Sequence, residues 1–171
     1  SVDLGEMVEE TVSFLSASVS KKVRFEVMVE PGTRVTGDRA QLAQLLLNLL
    51  TNAAEAIQDV GTVRVTVRPT DPSPADLAGF LFTTDLPRGR YALIEVMDDG
   101  VGMGADMHER IFDPFFSTKV EGRGLGLAVV FGSVRAHRGA ISVESADGGG
   151  TSCRALLPLE GRFAPKSREA E

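Results

Sequence analysis

The sequence predicts an α+β fold, a two-layer sandwich in which a mixed, mostly antiparallel sheet of about five strands packs against three helices. Three longer stretches place apolar residues at helical spacing, and five others alternate apolar and polar residues or are almost continuously apolar. With 171 residues, 43% of them hydrophobic, the chain is long enough for one domain with a single core. We expect that domain to span residues 1–159, followed by a polar tail or linker at 160–171.

Capping residues mark where two of the helices begin. Asp3 precedes Glu6, and Asp38 precedes Gln41, at the spacing of a helix N-cap box. The longer helices are predicted from residue 3, from 38 to about 59, and from 125 to about 137, with a short helix at 106–112. Gly61 and Gly139 are the predicted stops of the second and third longer helices.

The strands are predicted at residues 23–29, 63–67, 91–97, 141–145 and 152–157. The strand at 91–97 is almost continuously apolar, which is typical of a central strand. The glycine triplet at 148–150 is the predicted turn between the last two strands. Residues 69–89 have no sustained period and contain four of the eight prolines, so we expect a long loop or insertion there.

Charge and composition argue against a nucleic-acid-binding or membrane-binding surface and against a membrane span. A formal net charge of −6 argues against binding of nucleic acid or of an anionic membrane. The single cysteine, Cys153, cannot form an internal disulfide and fits a reducing compartment. No apolar run approaches the roughly 18 to 20 residues of a membrane span. We therefore expect a cytoplasmic domain without direct membrane contact, and Ser1 in place of Met leads us to expect a fragment of a longer protein.

Residues 98–102, Asp-Asp-Gly-Val-Gly, follow an apolar strand and predict one side of a nucleotide pocket. A carboxylate at the end of an interior strand, here Asp98, is costly to bury unless a donor faces it. The exocyclic amine of adenine is such a donor, and Gly100 and Gly102 would let the backbone approach the ring. The alternative is an ordinary strand-end turn with solvated acids.

Asn48 and Asn52 lie four residues apart, on one face of a helix otherwise rich in Leu and Ala. Each amide would cost roughly 1 to 3 kcal/mol if it were buried without a partner. A Mg²⁺ ion with triphosphate oxygens supplies partners, because magnesium accepts an amide carbonyl beside phosphate and water. The alternative is that these side chains only cap a neighbouring loop.

Residues 112–127 offer contacts to phosphate. Lys119 follows Phe-Phe-Ser-Thr and can reach a phosphate as a flexible point charge. Residues 122–127, Gly-Arg-Gly-Leu-Gly-Leu, open a helix whose free N–H groups suit an anion. The residues predicted to bind there are Arg123, Gly124, Leu125, Gly126 and Leu127. The alternatives are an aromatic core cluster beside a surface lysine, and a solvated arginine.

In this order the four segments resemble the ATP-binding catalytic domain of sensor histidine kinases, which shares a Bergerat-type fold with the gyrase and MutL ATPases. Residues 48–56 are similar to the N box of that family and residues 98–102 to its first glycine box. Residues 112–119 are similar to its F box and residues 122–127 to its second glycine box. The resemblance covers residues 4–159, and it departs from the family pattern at Arg123, where the usual residue is Thr.

The resemblance implies binding of Mg-ATP and transfer of its γ-phosphoryl group to a histidine. It implies that Asn52 coordinates Mg²⁺, that Asp98 binds adenine, and that residues 106–123 form a lid over the phosphates. Asn48, Asn52 and Lys119 are then the candidate catalytic residues, and ATP and Mg²⁺ are the cofactors. The implied partners are ATP or ADP, the protein's own dimerisation and histidine phosphotransfer domain, and a response regulator reached through the parent protein.

Neither histidine of the chain has the expected position of a phosphoacceptor. That histidine lies on a long dimerising helix in the family, whereas His108 lies in a short connecting helix and His137 at a helix end. Two other functions stay open. An ATPase of the gyrase or MutL type would need a Glu as general base at the first N-box position, which is Asn48 here. An interaction module that binds no nucleotide would have no need of Asn52 and Asp98.

Overall fold

The computed structural model describes residues 1–19, 21–81, 86, 88–102 and 126–161. These residues form three helices, α1 (Leu4–Ser18), α2 (Arg39–Glu55) and α3 (Gly126–Ala136). Their strands are β1 (Val2–Asp3), β2 (Val23–Val29), β3 (Arg34–Val35), β4 (Gly61–Thr70), β5 (Tyr91–Asp98), β6 (Ala140–Ser145) and β7 (Thr151–Pro158). None of the described helices is long and apolar enough to cross a membrane. The short helix predicted at 106–112 and the tail from residue 162 onward lie outside the described residues.

Five of the strands form one mixed sheet in the order β2-β4-β5-β7-β6. β2 and β4 are parallel, with α2 between them in the chain, and the other three pairs are antiparallel. Apolar residues of all three helices pack on the inward-facing residues of the sheet, among them Val65, Ile94 and Ala155. The two-layer α+β sandwich predicted from the sequence is confirmed.

Both predicted N-caps are confirmed. The Oδ1 atom of Asp3 accepts a hydrogen bond from the backbone N–H of Glu6 at 3.1 Å, at the start of α1. The Oδ1 atom of Asp38 accepts one from the backbone N–H of Gln41, also at 3.1 Å, at the start of α2. Each cap satisfies a backbone donor that has no partner within its helix.

α2 ends at Glu55, earlier than the predicted end at about Asp59. The reason is a contact from another part of the chain, since the carbonyl of Ala56 accepts a hydrogen bond from the backbone N–H of Val101 at 3.1 Å. That bond joins the end of α2 to the segment that follows β5. The helix boundary is thus determined by tertiary structure, which a local period does not report.

α3 ends in a Schellman motif with a non-glycine residue in the left-handed position. Arg138 has φ +58°, and its N–H donates to the carbonyl of Arg135 at 3.0 Å. The N–H of Gly139 donates to the carbonyl of Val134 at 2.8 Å. Gly139 was predicted as the stop, but its own role is different: a Cβ there would collide with the carbonyl oxygen of Leu156.

β4 is longer than predicted and takes in Pro69, which lies opposite Ala92 of β5. β2 pairs with β4 only as far as Val67, whose carbonyl accepts from the N–H of Glu30. Pro69 therefore lies beyond the end of β2, where β4 has an open edge and a missing N–H loses no ladder hydrogen bond. The predicted loop accordingly begins after Thr70 rather than at Pro69.

The segment between β4 and β5 covers part of the outer face of the sheet, where the sequence predicted only a loop or insertion. Ser73 and Asp76 exchange side-chain hydrogen bonds with each other's backbone N–H groups. Leu81 forms a two-bond bridge with Ile141 on the free edge of β6. A second apolar cluster follows: Leu77, Phe80 and Leu86 pack on Tyr91, Leu93, Ala140 and Leu156.

Arg34 joins the two ends of the described domain. β1 pairs with β3, and the Nε atom of Arg34 donates to the hydroxyl oxygen of Ser1 at 2.8 Å. The guanidinium also forms ion pairs with Asp3 at 3.6 Å and with Glu160 at 3.5 Å. The backbone N–H of Glu160 donates to the carbonyl of Arg34 at 2.8 Å. The folded part of the chain therefore reaches at least Glu160.

Candidate nucleotide-binding site

One face of α2 carries the two asparagines of the predicted site. Asn48, Asn52 and Ala56 follow one another at intervals of four residues, so they lie on the same helical face. Both asparagine side chains are half-buried. The Oδ1 atom of Asn48 accepts a hydrogen bond from Nε2 of Gln44 at 3.2 Å. The amide of Asn52 makes no side-chain hydrogen bond to any described residue, and it is thus available to a ligand.

The segment after β5 meets the C-terminal end of this face. Gly100 lies so close to Ala56 that a Cβ at this position would collide with the Ala56 carbonyl oxygen. Gly102 has φ +66°, in the left-handed region, and a Cβ there would collide with the carbonyl oxygen of Ala146. Both predicted glycines are therefore required by the approach of other protein backbone. Their predicted contact with adenine stays a prediction.

The carboxylates of Asp98 and Asp99 have different environments. Asp98 is half-buried, and its Oδ1 atom accepts a hydrogen bond from the backbone N–H of Gly100 at 2.9 Å. Burial raises the pKa of the Asp98 carboxyl above its ordinary value. Asp99 instead accepts from the backbone N–H of Thr62 at 2.8 Å and so fastens the end of β5 to the start of β4. The Asp98 carboxylate also interacts with the backbone N–H of Thr151, and it is the candidate group for contact with a ligand.

The turn between β6 and β7 supports the glycine segment, a role that the sequence analysis missed. The N–H of Gly148 donates to the carbonyl of Val101 at 2.6 Å. Gly150 has φ +76°, and a Cβ there would collide with the carbonyl oxygen of Asp98. The turn was predicted from its glycines, but its position beside Asp98 follows from the pairing of β5 with β7, which no local pattern reports.

Two residues of β7 lie on the same side of the sheet as Asp98. Thr151 is directly opposite Asp98, and its hydroxyl is 2.7 Å from the hydroxyl of Ser145. Cys153 packs against the core, and burial together with the negative charge of Asp98 raises the pKa of its thiol to about 12. The thiol is therefore neutral at physiological pH and is no nucleophile.

The donor set fits a magnesium ion that is shared with phosphate. Among the described residues no group of three or more His, Cys, Asp or Glu side chains could hold a metal ion. The amide oxygen of Asn52, which has no side-chain partner among the described residues, is a suitable single ligand for Mg²⁺, with phosphate and water oxygens completing the coordination.

The remaining predicted site residues are only partly covered by the structure. Lys119, Arg123, Gly124 and Leu125 lie outside the described residues. Gly126 is the first described residue of α3, so the predicted helix is present, and its predicted start at Leu125 lies outside the described residues. Leu127 is half-buried and packs against the main core. Contacts of all these residues with phosphate stay predictions.

Comparison with known proteins agrees with this arrangement. Residues 37–161 match the family model described as histidine kinase-, DNA gyrase B-, and HSP90-like ATPase. The chain belongs to this ATPase family. The matched residues include α2, the Asp98 segment and the turn beside it.

Within the ATPase family the chain is similar to sensor histidine kinases. It is 36% identical over 164 residues to the sensor histidine kinase ZraS of Klebsiella oxytoca, an alignment that covers 95% of this chain and 32% of ZraS. The structure of a mycobacterial sensor histidine kinase, MprB, matches with a TM-score of 0.74 and 30% identity, over 92% of this chain and 95% of that one. A structure of full-length ShkA in complex with AMPPNP matches with a TM-score of 0.71 and 26% identity, over 92% of this chain and 30% of ShkA. The chain is thus a histidine kinase-type ATPase domain, and it spans about a third of the length of ZraS.

Proposed function

We propose that this domain binds Mg-ATP and donates the γ-phosphoryl group to a histidine on a separate dimerisation domain. The observation that carries the proposal is the hydrogen bond between Val101 and Ala56, which joins the Asp98 segment to the asparagine face of α2. The half-buried carboxylate of Asp98 and the amide of Asn52 lie on adjoining elements, as joint recognition of a base and a metal-bound phosphate requires. The ShkA structure, which contains the ATP analogue AMPPNP, is further support.

Each described site residue has one task in this proposal. Asp98 accepts a hydrogen bond from the exocyclic amine of adenine, and the glycine segment keeps that carboxylate in place. Asn52 would hold Mg²⁺, which when bound neutralises charge on the phosphates. Lys119, Arg123 and the backbone of residues 124–127 would bind the phosphates directly. Catalysis then consists mainly of holding the phosphoryl group in line with the acceptor imidazole and neutralising its charge.

Hydrolysis of ATP is the second candidate function, because the family includes gyrase B-like and HSP90-like ATPases. Activation of water by a general base is typically worth about 10²- to 10⁴-fold in rate. The residue at the first N-box position is Asn48, whose amide cannot take a proton. We therefore expect negligible ATP hydrolysis by the chain alone. Robust Mg-dependent release of phosphate by the purified chain would favour the ATPase.

Isothermal titration calorimetry with ATP and ADP, with and without Mg²⁺, tests the binding step. Asp98→Asn should weaken binding by roughly 1.5 to 3 kcal/mol, because the charged acceptor for the adenine amine becomes a neutral amide. Asp99→Asn is the matched control, since the new amide keeps an oxygen that can accept from Thr62, and it should leave the affinity nearly unchanged. No detectable binding by the unmodified chain at millimolar nucleotide would overturn the enzymatic proposal and favour an interaction module.

The partners and the location are proposed on the same basis. A histidine phosphotransfer domain of the parent protein would present the acceptor, and a response regulator would then receive the phosphoryl group. Incubating the chain with that histidine phosphotransfer domain and radiolabelled ATP would detect transfer of the γ-phosphoryl group to the histidine. We place the domain in the cytoplasm because that compartment supplies ATP.

A further inference from the structure

Gln44 is a polar residue of α2 outside the predicted site that contacts one member of it. Gln44, Asn48 and Asn52 lie at successive intervals of four residues, so three amide side chains share one helical face. Gln44 is exposed and Asn48 is half-buried. The Nε2 atom of Gln44 donates to the Oδ1 atom of Asn48 at 3.2 Å. This bond involves the carbonyl oxygen of the Asn48 amide and does not involve its NH₂ group.

The two ends of an amide point in different directions and suit different ligands. Gln44 lies one turn before Asn48 and holds the carbonyl end of the Asn48 amide, so the NH₂ group is the end of that amide left to contact a ligand. N–H donors suit an anionic oxygen, whereas a carbonyl oxygen suits a cation. Without the contact from Gln44, either end of the Asn48 amide could face the ligand.

We propose that Gln44 is a positioning residue that turns the Asn48 amide so that its N–H donors face a phosphate oxygen of the bound nucleotide. The inference rests on the proposed function. It gives the two asparagines opposite tasks, with Asn52 offering its carbonyl to Mg²⁺ and Asn48 offering donors to phosphate. The separation between their roles depends on a residue that contacts neither ligand.

Substitutions at Gln44 can change which end of the Asn48 amide the side chain at position 44 engages. Gln44→Lys has only donors and keeps the Asn48 carbonyl engaged, whereas Gln44→Glu has only acceptors and draws the Asn48 NH₂ group towards itself. Both variants also change the charge near the nucleotide. Each is therefore made in the Asn48→Ala background as well, where the remaining effect on affinity is that of charge alone.

Nucleotide affinity measured by calorimetry on the whole chain is the first readout. We expect Gln44→Glu to weaken ATP binding about tenfold more in the native background than in the Asn48→Ala background, because a charge-assisted donor is lost. Gln44→Lys should have the same effect in both backgrounds, with an unchanged thermal midpoint. An effect of Gln44→Glu that is equal in the two backgrounds would overturn the proposal, since Gln44 would then not act through Asn48.

An NMR spectrum of the nucleotide-free chain distinguishes two outcomes: that Gln44 does not position Asn48, and that the chain does not bind nucleotide. The side-chain NH₂ signals of Asn48, assigned by their loss in Asn48→Ala, should move in Gln44→Glu and stay nearly unchanged in Gln44→Lys. Signals that do not move in Gln44→Glu would overturn the positioning role even if the unmodified chain binds ATP. Signals that move in a chain that binds no nucleotide would overturn the proposed function and the phosphate contact with it.

Discussion

The carboxylate of Asp98 is half-buried at the end of β5, and this has a measurable cost to the fold. Burial raises the pKa of Asp98 above its ordinary value of 3.8. The folded state therefore binds the proton more tightly than the unfolded state does. Ionised Asp98 lowers the free energy of unfolding at neutral pH, and this loss is absent below pH 3.8, where the carboxyl is protonated in both states. The charged carboxylate proposed to bind the nucleotide thus lowers the stability of the folded domain.

Asp98→Asn is accordingly expected to raise the thermal midpoint at about pH 7, although it weakens nucleotide binding. The gain should shrink as the pH falls through the raised pKa of Asp98 towards 3.8, because the wild-type carboxyl then becomes neutral as well. Circular dichroism melts between about pH 7 and pH 4 measure it. Asp71→Asn removes a charge at an exposed position and is the control. A gain that is independent of pH, or equal in both variants, would contradict this account.

Helix α3 ends on a residue that is poorly suited to its conformation. Arg138 has φ +58°, a region that costs a residue with a Cβ roughly 1 to 2 kcal/mol. We predict that Arg138→Gly increases the free energy of unfolding by about 0.5 to 1 kcal/mol, the relief of strain less the greater freedom of glycine in the unfolded chain. Urea denaturation measures the change. Arg138→Ala removes the same side chain without that relief, so a gain of equal size in the alanine variant would refute the explanation.

The segment between β4 and β5 covers apolar surface at the end of β5 remote from the site. Thr70 pairs with Tyr91, so a two-residue Asn-Gly turn could replace residues 71–90 and close the hairpin directly. We expect unchanged nucleotide affinity, because Asp98 lies about 24 Å away at 3.4 Å per residue. The uncovered Leu93 and Leu156 should cause self-association, which light scattering detects.

Adding Leu93→Thr to the shortened chain is the control for that prediction. A polar residue in the exposed patch should reduce self-association without restoring the segment. Loss of nucleotide binding by the shortened chain would indicate that the segment supports the site, contrary to its position at the opposite end of β5. If the shortened chain stays monomeric, exposure of this apolar cluster is not sufficient to cause self-association.

For the molecule as a whole, local periods predicted the elements, and distant contacts determined how the elements meet. Four strands of the main sheet were predicted from alternation, which reports which face is buried, and β5 was predicted from its almost continuous apolar run. The two-residue strands β1 and β3 are too short to have a period. Nothing local places Thr151 opposite Asp98, or ends α2 at Glu55 through a bond from Val101. Those contacts arise from the order of the strands.

In the candidate site, too, local patterns indicated the residues, and distant contacts determine how they are supported. Asn48, Asn52, Asp98, Gly100 and Gly102 were found by spacing and residue type, and the structure places them on adjoining elements. The support from the turn at 148–150 and the contact from Gln44 were missed, because neither has a motif of its own. Lys119, Arg123, Gly124 and Leu125 stay predictions.

The contacts of Arg34 with Ser1, Asp3 and Glu160 have a consequence for how the chain can be connected. Because the two ends of the described domain meet at one residue, a short linker could join them without stretching any strand pair. New ends could then be opened in the exposed stretch of residues 73–76, outside every helix and strand. A circular permutant of this kind would bring β5 and β7 before α2 in the chain, yet the backbone N–H of Val101 would still donate to the carbonyl of Ala56. The arrangement of the candidate site depends on which elements are neighbours in space, and it does not depend on their order along the chain.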